Sequence, residues 1–205
     1  MISLLTNKKF LIFYSFFIKF IFRCYGIKVG KKFYIEGIPK LKIKGKKNNI
    51  FIGNNVNIFG NIDLRNRENG KILIKDNVTI DENTRFVASN EGIIEIGENT
   101  FIGPNTIING GGNIKIGKKT VFAKNISINA NDHNHSKLSY IRDQGYSIAD
   151  IIIEDDVWLG ANVCINKGVT VSKGSVVGAN AVVTKNTEPY SINVGVPAKK
   201  ISERV

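Results

Sequence analysis

Aliphatic or aromatic residues recur every six positions through most of this chain, and few folds accept that period. They fall at Ile52, Ile58, Leu64; Ile74, Ile80, Phe86; Ile96, Ile102, Ile108; Ile116, Phe122, Ile128; then, after a break, at Ile153, Leu159, Ile165, Val171, Val177 and Val183. The extra residues between the early groups (65–71, 88–93 and 110–113) come once per three steps, at one corner of a three-sided coil. Short strands joined by tight corners can stack so that one inward residue per side builds an apolar column, while each coil pairs with those above and below. Repeated Gly-Asn, Asp-Asn and Glu-Asn pairs supply the backbone freedom the corners need. A sandwich or barrel of evenly spaced strands would show two-residue alternation and variable turns, and would not hold a strict six from Ile153 to Val183. The pattern predicts an all-β parallel β-helix over residues 48–188.

The break itself carries chemistry. It opens with Asn131-Asp132-His133-Asn134-His135, which holds both histidines of the chain, and runs as a polar loop over residues 132–150 with Tyr140 and Tyr146. Loops of this length in compact folds are usually functional or disordered, and the adjoining histidines favour function. A histidine accepts a proton from a hydroxyl or amine near neutral pH, so His133 is the candidate general base. On spacing alone, a plain surface histidine fits equally well.

Charge sets the front of the chain apart. Residues 1–47 hold twelve Lys and Arg against one acid, Glu36, and so nearly all of the net charge of +12. Such a segment could meet nucleic acid, an anionic membrane or phosphorylated ligands. Between the charges, however, lie residues 10–18 and 20–22, all apolar or aromatic but for Ser15, which argues against nucleic acid. The run is too short and interrupted for a membrane span, and the first alanine in the chain is Ala88, so no secretory cleavage site is expected after it. Two readings stay open: a helix in peripheral contact with a membrane through residues 1–28, or one that packs its phenylalanines on the domain or a sister subunit. Cys24 and Cys164 have no metal spacing, and point to a reducing, cytoplasmic setting, at the inner membrane face if the first reading holds. The expected division is an N-terminal segment 1–47, the coil 48–188 with its loop, and a tail 189–205.

From about Ile96 to Ile201 the chain resembles the hexapeptide-repeat acetyltransferases, among them maltose, galactoside and polysaccharide O-acetyltransferases. The resemblance rests on Asp155-Asp156-Val157-Trp158-Leu159-Gly160-Ala161-Asn162-Val163, Gly168-Val169-Thr170-Val171, Val177-Gly178-Ala179, Val183-Thr184-Lys185 and Gly195-Val196-Pro197-Ala198-Lys199. It implies a left hand for the β-helix, against the usual crossover rule, acetyl-CoA as co-substrate, and a homotrimer with its sites between subunits. His133 falls on the family's base and His135 on a loop contact to the acceptor. Trp158, Gly160 and Ala161 fall beside the thioester, Ala179 and the Thr184-Lys185 pair along the pantetheine arm, Lys199 at the nucleotide phosphates, and Asn105 at the acceptor. Ser202 stands where relatives often carry a second basic residue, leaving Lys200 or Arg204 as substitutes, and Gly110-Gly111-Gly112 replaces acidic residues that hold the sugar in some relatives.

The expected activity is therefore acetyl transfer to a sugar hydroxyl of a surface polysaccharide or its precursor, with N-acetylation of a nucleotide-linked amino sugar as the alternative. No metal is expected, because a zinc hydratase on this fold needs three histidines and the chain has two. A non-catalytic scaffold would bind no acetyl-CoA.

Overall fold

The computed structural model describes residues 7–205. Three sheets of seven, nine and seven strands, parallel but for the last strand of the nine, form faces A, B and C of a triangular coil. Seven turns, spanning 28–43, 50–66, 71–88, 93–110, 114–129, 151–165 and 170–183, are called coils 1 to 7. Each contributes one strand to each face, and the strand Ser191–Val194 adds a further rung to face B.

Each side of coils 2 to 7 buries two residues rather than the one expected, the ladder residue and the one two positions before it, as in Ile50 and Ile52 or Val56 and Ile58. All eighteen residues of the ladder are at most 1% exposed. On face A they stand in register as Ile52, Ile74, Ile96, Ile116, Ile153 and Val171, so each covers its neighbour's side chain one rung away. The register passes from Ile116 to Ile153 without a slip, so residues 130–150 leave the coil and return to it without disturbing the stack. They leave at the corner between faces C and A, the corner that also takes the extra residues of coils 2 to 4.

The corner between faces B and C shows why asparagine recurs. Asn105, Asn125, Asn162 and Asn180 all have φ between +57° and +62°, a left-handed conformation that asparagine tolerates better than most residues. Their side chains join in a ladder, Asn105 Nδ2 donating to Asn125 Oδ1 (3.1 Å), Asn125 to Asn162 (2.8 Å) and Asn162 to Asn180 (2.9 Å).

The coil runs further than 48–188 in both directions. Coil 1 begins at Lys28, and Val29, Ile35 and Leu41 continue the sixfold step with parallel pairing to coil 2. Its lysines at 28, 40 and 42 alternate with these inward residues and face out, so part of what composition sets apart as a basic segment is the outer surface of the first turn. At the other end Ser191–Val194 pairs with coil 7, and the strand Lys199–Glu203 folds back antiparallel along it, covering the last edge.

Helix α1 (Lys8–Cys24) closes the first edge. Asn7 caps it, its Oδ1 accepting from Lys9 N at 3.0 Å. Ser15, Ile18 and Phe22 are its buried stripe, and Phe22 packs on Phe33 with ring centroids 5.9 Å apart. The helix also serves backbone groups that coil 1, having no coil before it, would leave unpaired. Ser15 Oγ accepts from Ile35 N (2.8 Å), Tyr14 Oη donates to Gly37 O (3.0 Å), Arg23 Nη2 to Val29 O (2.8 Å), and Lys19 Nζ to Gly30 O. Of the two readings of this segment, packing on the domain therefore accounts for one stripe of the helix.

Candidate active site

The excursion is a β-hairpin rather than a slack loop. Asn131–His133 pairs antiparallel with Tyr146–Ile148, setting His133 opposite Tyr146. Its base is tied to the coil by Lys167 of the same corner, whose Nζ donates to Ser147 Oγ (2.6 Å) and lies 3.5 Å from Asp132 Oδ2. Its tip is braced by the Gln144 side chain, beside the bond from Asn134 Nδ2 to Gln144 O (3.0 Å). Gln144 Oε1 accepts from Ser136 N (2.7 Å), and its Nε2 donates to Ser136 O and Ser139 O (2.7 Å each). Sequence reasoning missed Gln144, since nothing in its neighbours marks it.

His133, Asn134, His135, Ser136, Gln144 and Ser147 line an open hollow of about 300 Å³. The His133 imidazole is exposed and, among the described residues, makes no hydrogen bond. His135 turns Nδ1 to the His133 carbonyl at 3.2 Å, a local contact that shapes the turn. Cys164 lies nearby on face C, and burial and then the Asp132 carboxylate push its thiol up, away from the thiolate a nucleophile would need.

The remaining candidates fall into two sets on either side of face C. Thr184 and Lys185 follow the face C strand of coil 7 and lie exposed at the hairpin's own corner. Gly160, Ala161 and Ala179 lie at the corner between faces B and C, and Trp158 on face B is 54% exposed. Six residues of strand and corner separate the two corners, roughly 20 Å at an extended rise. Gly160 answers to packing, because a Cβ there would sit 2.6 Å from Ala179 N. Asn105 is also at this corner, where the amide ladder and its positive φ already account for it.

The same corner offers unused donors. The N–H groups of Gly160 and Asn162 bond to Val177 O (2.8 Å) and Lys124 O (3.0 Å), and that of Asn180 to Ala161 O (2.8 Å). Among the described residues, those of Ala161 and Ala179 bond to nothing. Pro104 holds the equivalent place in coil 4, so the coil does not need an N–H there. These free donors suit the carbonyl-rich arm and thioester of an acyl-CoA, and Trp158 stands in register with Phe101, Val121, Val176 and Ile192 in an apolar stripe along face B.

At the C-terminus Lys200 is held by Glu188 and Glu203 (2.5 Å each) and Arg204 by Asp156 (2.8 Å), so neither stands free as a second phosphate contact. Lys199 is exposed and makes no ion pair among the described residues.

A stack of six-residue sides interrupted by one histidine-bearing hairpin defines a class, the hexapeptide-repeat acyltransferases. The repeat family described as "Hexapeptide repeat of succinyl-transferase" matches residues 93–130 and 150–185, leaving out the hairpin. Galactoside O-acetyltransferase of Escherichia coli is 32% identical over 187 residues, which cover 86% of this chain and 87% of that protein. The chain belongs to the hexapeptide-repeat acetyltransferase family. "Probable acetyltransferase" of Mycobacterium tuberculosis is also 32% identical, over 157 residues, but the chain spans only half of that relative's length. An N-acyltransferase from Bacillus cereus, solved with dTDP and 3-hydroxybutyryl-CoA, shares the fold with a TM-score of 0.58 at 22% identity, covering 91% of this chain and 88% of that one.

Proposed function

We propose that the protein transfers an acetyl group from acetyl-CoA to a sugar hydroxyl, with His133 as general base. The observation that carries this reading is the exposed, unpartnered imidazole on a hairpin inserted into a hexapeptide coil, in a chain similar over most of its length to a galactoside O-acetyltransferase. Acetyl-CoA supplies the acetyl group as an activated thioester. His133 takes the proton of the acceptor hydroxyl as its oxygen bonds to the acetyl carbon. Ala161 N–H donates to the carbonyl oxygen as negative charge builds there. The carbon–sulfur bond breaks, the thiolate regains a proton from His133, and an acetyl ester and free CoA leave. Ala179 N–H, Thr184 and Lys185 hold the pantetheine arm, Trp158 flanks it, Lys199 meets the nucleotide phosphates, and His135 and Asn105 border the acceptor.

The separation of the two residue sets supports a homotrimer. A second copy that laid its B–C corner beside the first copy's hairpin would bring free N–H donors to His133, and repeating that contact closes a ring. The N-acyltransferase from Bacillus cereus keeps a second reading in view, transfer to the amine of a nucleotide-linked sugar. Thiol release measured against hydroxy sugars and against amino sugars separates them.

The test of the base is His133→Ala. Turnover should fall by about 10²–10⁴, while calorimetry finds acetyl-CoA binding within about threefold of the parent, since the donors at Ala161 and Ala179 are untouched. Loss of both to the same degree would remove His133 from this role.

A further inference from the structure

The inner stripe of α1 is satisfied by coil 1, and its outer face has no partner among the described residues. At 100° per residue, Phe10, Phe13, Phe16, Phe17 and Phe20 fall within one third of the helix's circumference, opposite Ser15, Ile18 and Phe22. All five are exposed, Phe13 and Phe16 at 71% each. Five phenylalanines on one exposed face exceed what a surface carries by chance and mark a contact site.

We propose that this face seats the protein on an anionic lipid bilayer. The charges around it choose that partner. Lys8 and Lys9 at the start of the helix, and Lys28, Lys31 and Lys32 in the turn beneath it, are all exposed. The one acid of residues 1–47, Glu36, accepts from Tyr34 Oη at 2.8 Å. An apolar centre with a rim of lysine ammoniums matches acyl chains bordered by anionic headgroups, whereas nucleic acid would meet the lysines and leave the phenylalanines in water. The 17-residue helix is about 25 Å long, and among the described residues no helix is long and apolar enough to cross a membrane. It therefore lies flat in the interface.

One consequence concerns reach, and rests on the acyl-transfer reading, which the docking itself does not need. The hairpin leaves after coil 5, four rungs above coil 1. Four rungs at about 4.8 Å, with about 10 Å for the helix, set His133 roughly 30 Å from the bilayer surface. An acceptor held there would be a sugar several units along a lipid-linked glycan, rather than one at the headgroup.

The test is flotation of the full chain with vesicles of equal parts phosphatidylglycerol and phosphatidylcholine, and with phosphatidylcholine alone. The protein should float with the anionic vesicles and be released by high salt. Phe13→Ser with Phe17→Ser, and separately Lys8→Gln, Lys9→Gln, Lys31→Gln and Lys32→Gln together, should each lower the bound fraction about tenfold. The lysine variant carries the test if the serine variant does not fold. Equal flotation of parent and variants overturns the proposal, as does equal binding to phosphatidylcholine alone. So does a lipid-free sedimentation coefficient that falls in the serine variant, which would make the face a subunit contact. Thiol release toward a soluble sugar should be unchanged in both variants, so failure of the acyl-transfer reading would register there and leave the flotation result standing.

Discussion

Ala161→Pro separates the chemistry of the B–C corner from its architecture. Proline removes the N–H that the proposed mechanism uses and the coil does not. The hydrogen bonds on either side, Gly160 N to Val177 O and Asn162 N to Lys124 O, involve other residues, and Ala161 O remains free to accept from Asn180 N. Gly103-Pro104 stands at the same corner two coils below and shows that the backbone accepts this pair. Stability should therefore hold or rise by about 0.4–1 kcal/mol, through the stiffer unfolded chain. If the lost donor faces the developing oxyanion, kcat should fall about 10²–10³-fold, or about 2.7–4 kcal/mol. If it holds only a pantetheine carbonyl, the loss should be about 1 kcal/mol and should appear in KM. Thiol release with varied acetyl-CoA, beside a thermal melt, reads both quantities. Unchanged kcat and KM would refute the assignment, and a melting point several degrees lower would mean that the coil uses the N–H after all.

Two further outcomes follow from the geometry. Gln144→Ala removes three side-chain bonds that brace the hairpin tip, so kcat should fall about tenfold or more as His133 loses its placement, with the melting point nearly unchanged because the tip packs against no core; intact turnover would show that the remaining bonds, such as Asn134 Nδ2 to Gln144 O, suffice. On face C, Arg65 bonds to both oxygens of Asp63 (2.8 and 2.5 Å), Arg85 stands at 3.3 Å, and the carboxyl is held below its ordinary range mainly by the Arg65 bond. A depressed folded pKa gives stability that is complete above the unfolded carboxylate value and is lost as the pH falls through the folded one. The melting-point advantage of the parent over Asp63→Asn should therefore shrink as the pH drops from about 5 toward 2, and an advantage constant across that range would count against the ion pair.

How far the fold can be read from the chain depends on what stands beside the inward residues. Where Gly and Asn flank them, as at Ile52-Gly53-Asn54 or Ile102-Gly103-Pro104-Asn105, corner and step are both visible. In coil 1 the step of six is just as regular at Val29, Ile35 and Leu41, but lysines at 28, 31, 32, 40 and 42 hide it. Outward residues on a β-helix are free to carry charge, because only the two inward positions of each side, such as Ile50 and Ile52, are fixed by packing. A charge count weighs both kinds equally and so sets the first coil apart from its stack. The helix is ambiguous for a related reason: phenylalanines on two opposite faces fit packing and membrane contact alike, and the two faces meet different surroundings.

The site divides along another line. His133 is legible because the ladder stops there, and side-chain chemistry narrows what a lone histidine can do. The donors at Ala161 and Ala179 are backbone atoms, and no residue type announces an unused N–H. Only the hydrogen-bond pattern of the stacked corners separates the working amide of Gly160 from the idle one beside it. Asn105 runs the opposite way: its identity stands out in sequence, yet the left-handed corner and the amide ladder already require it. A repeat that demands asparagine for its backbone will offer polar side chains wherever a substrate residue is sought. In this fold, a residue that breaks the repeat is therefore stronger evidence of function than a polar residue that obeys it.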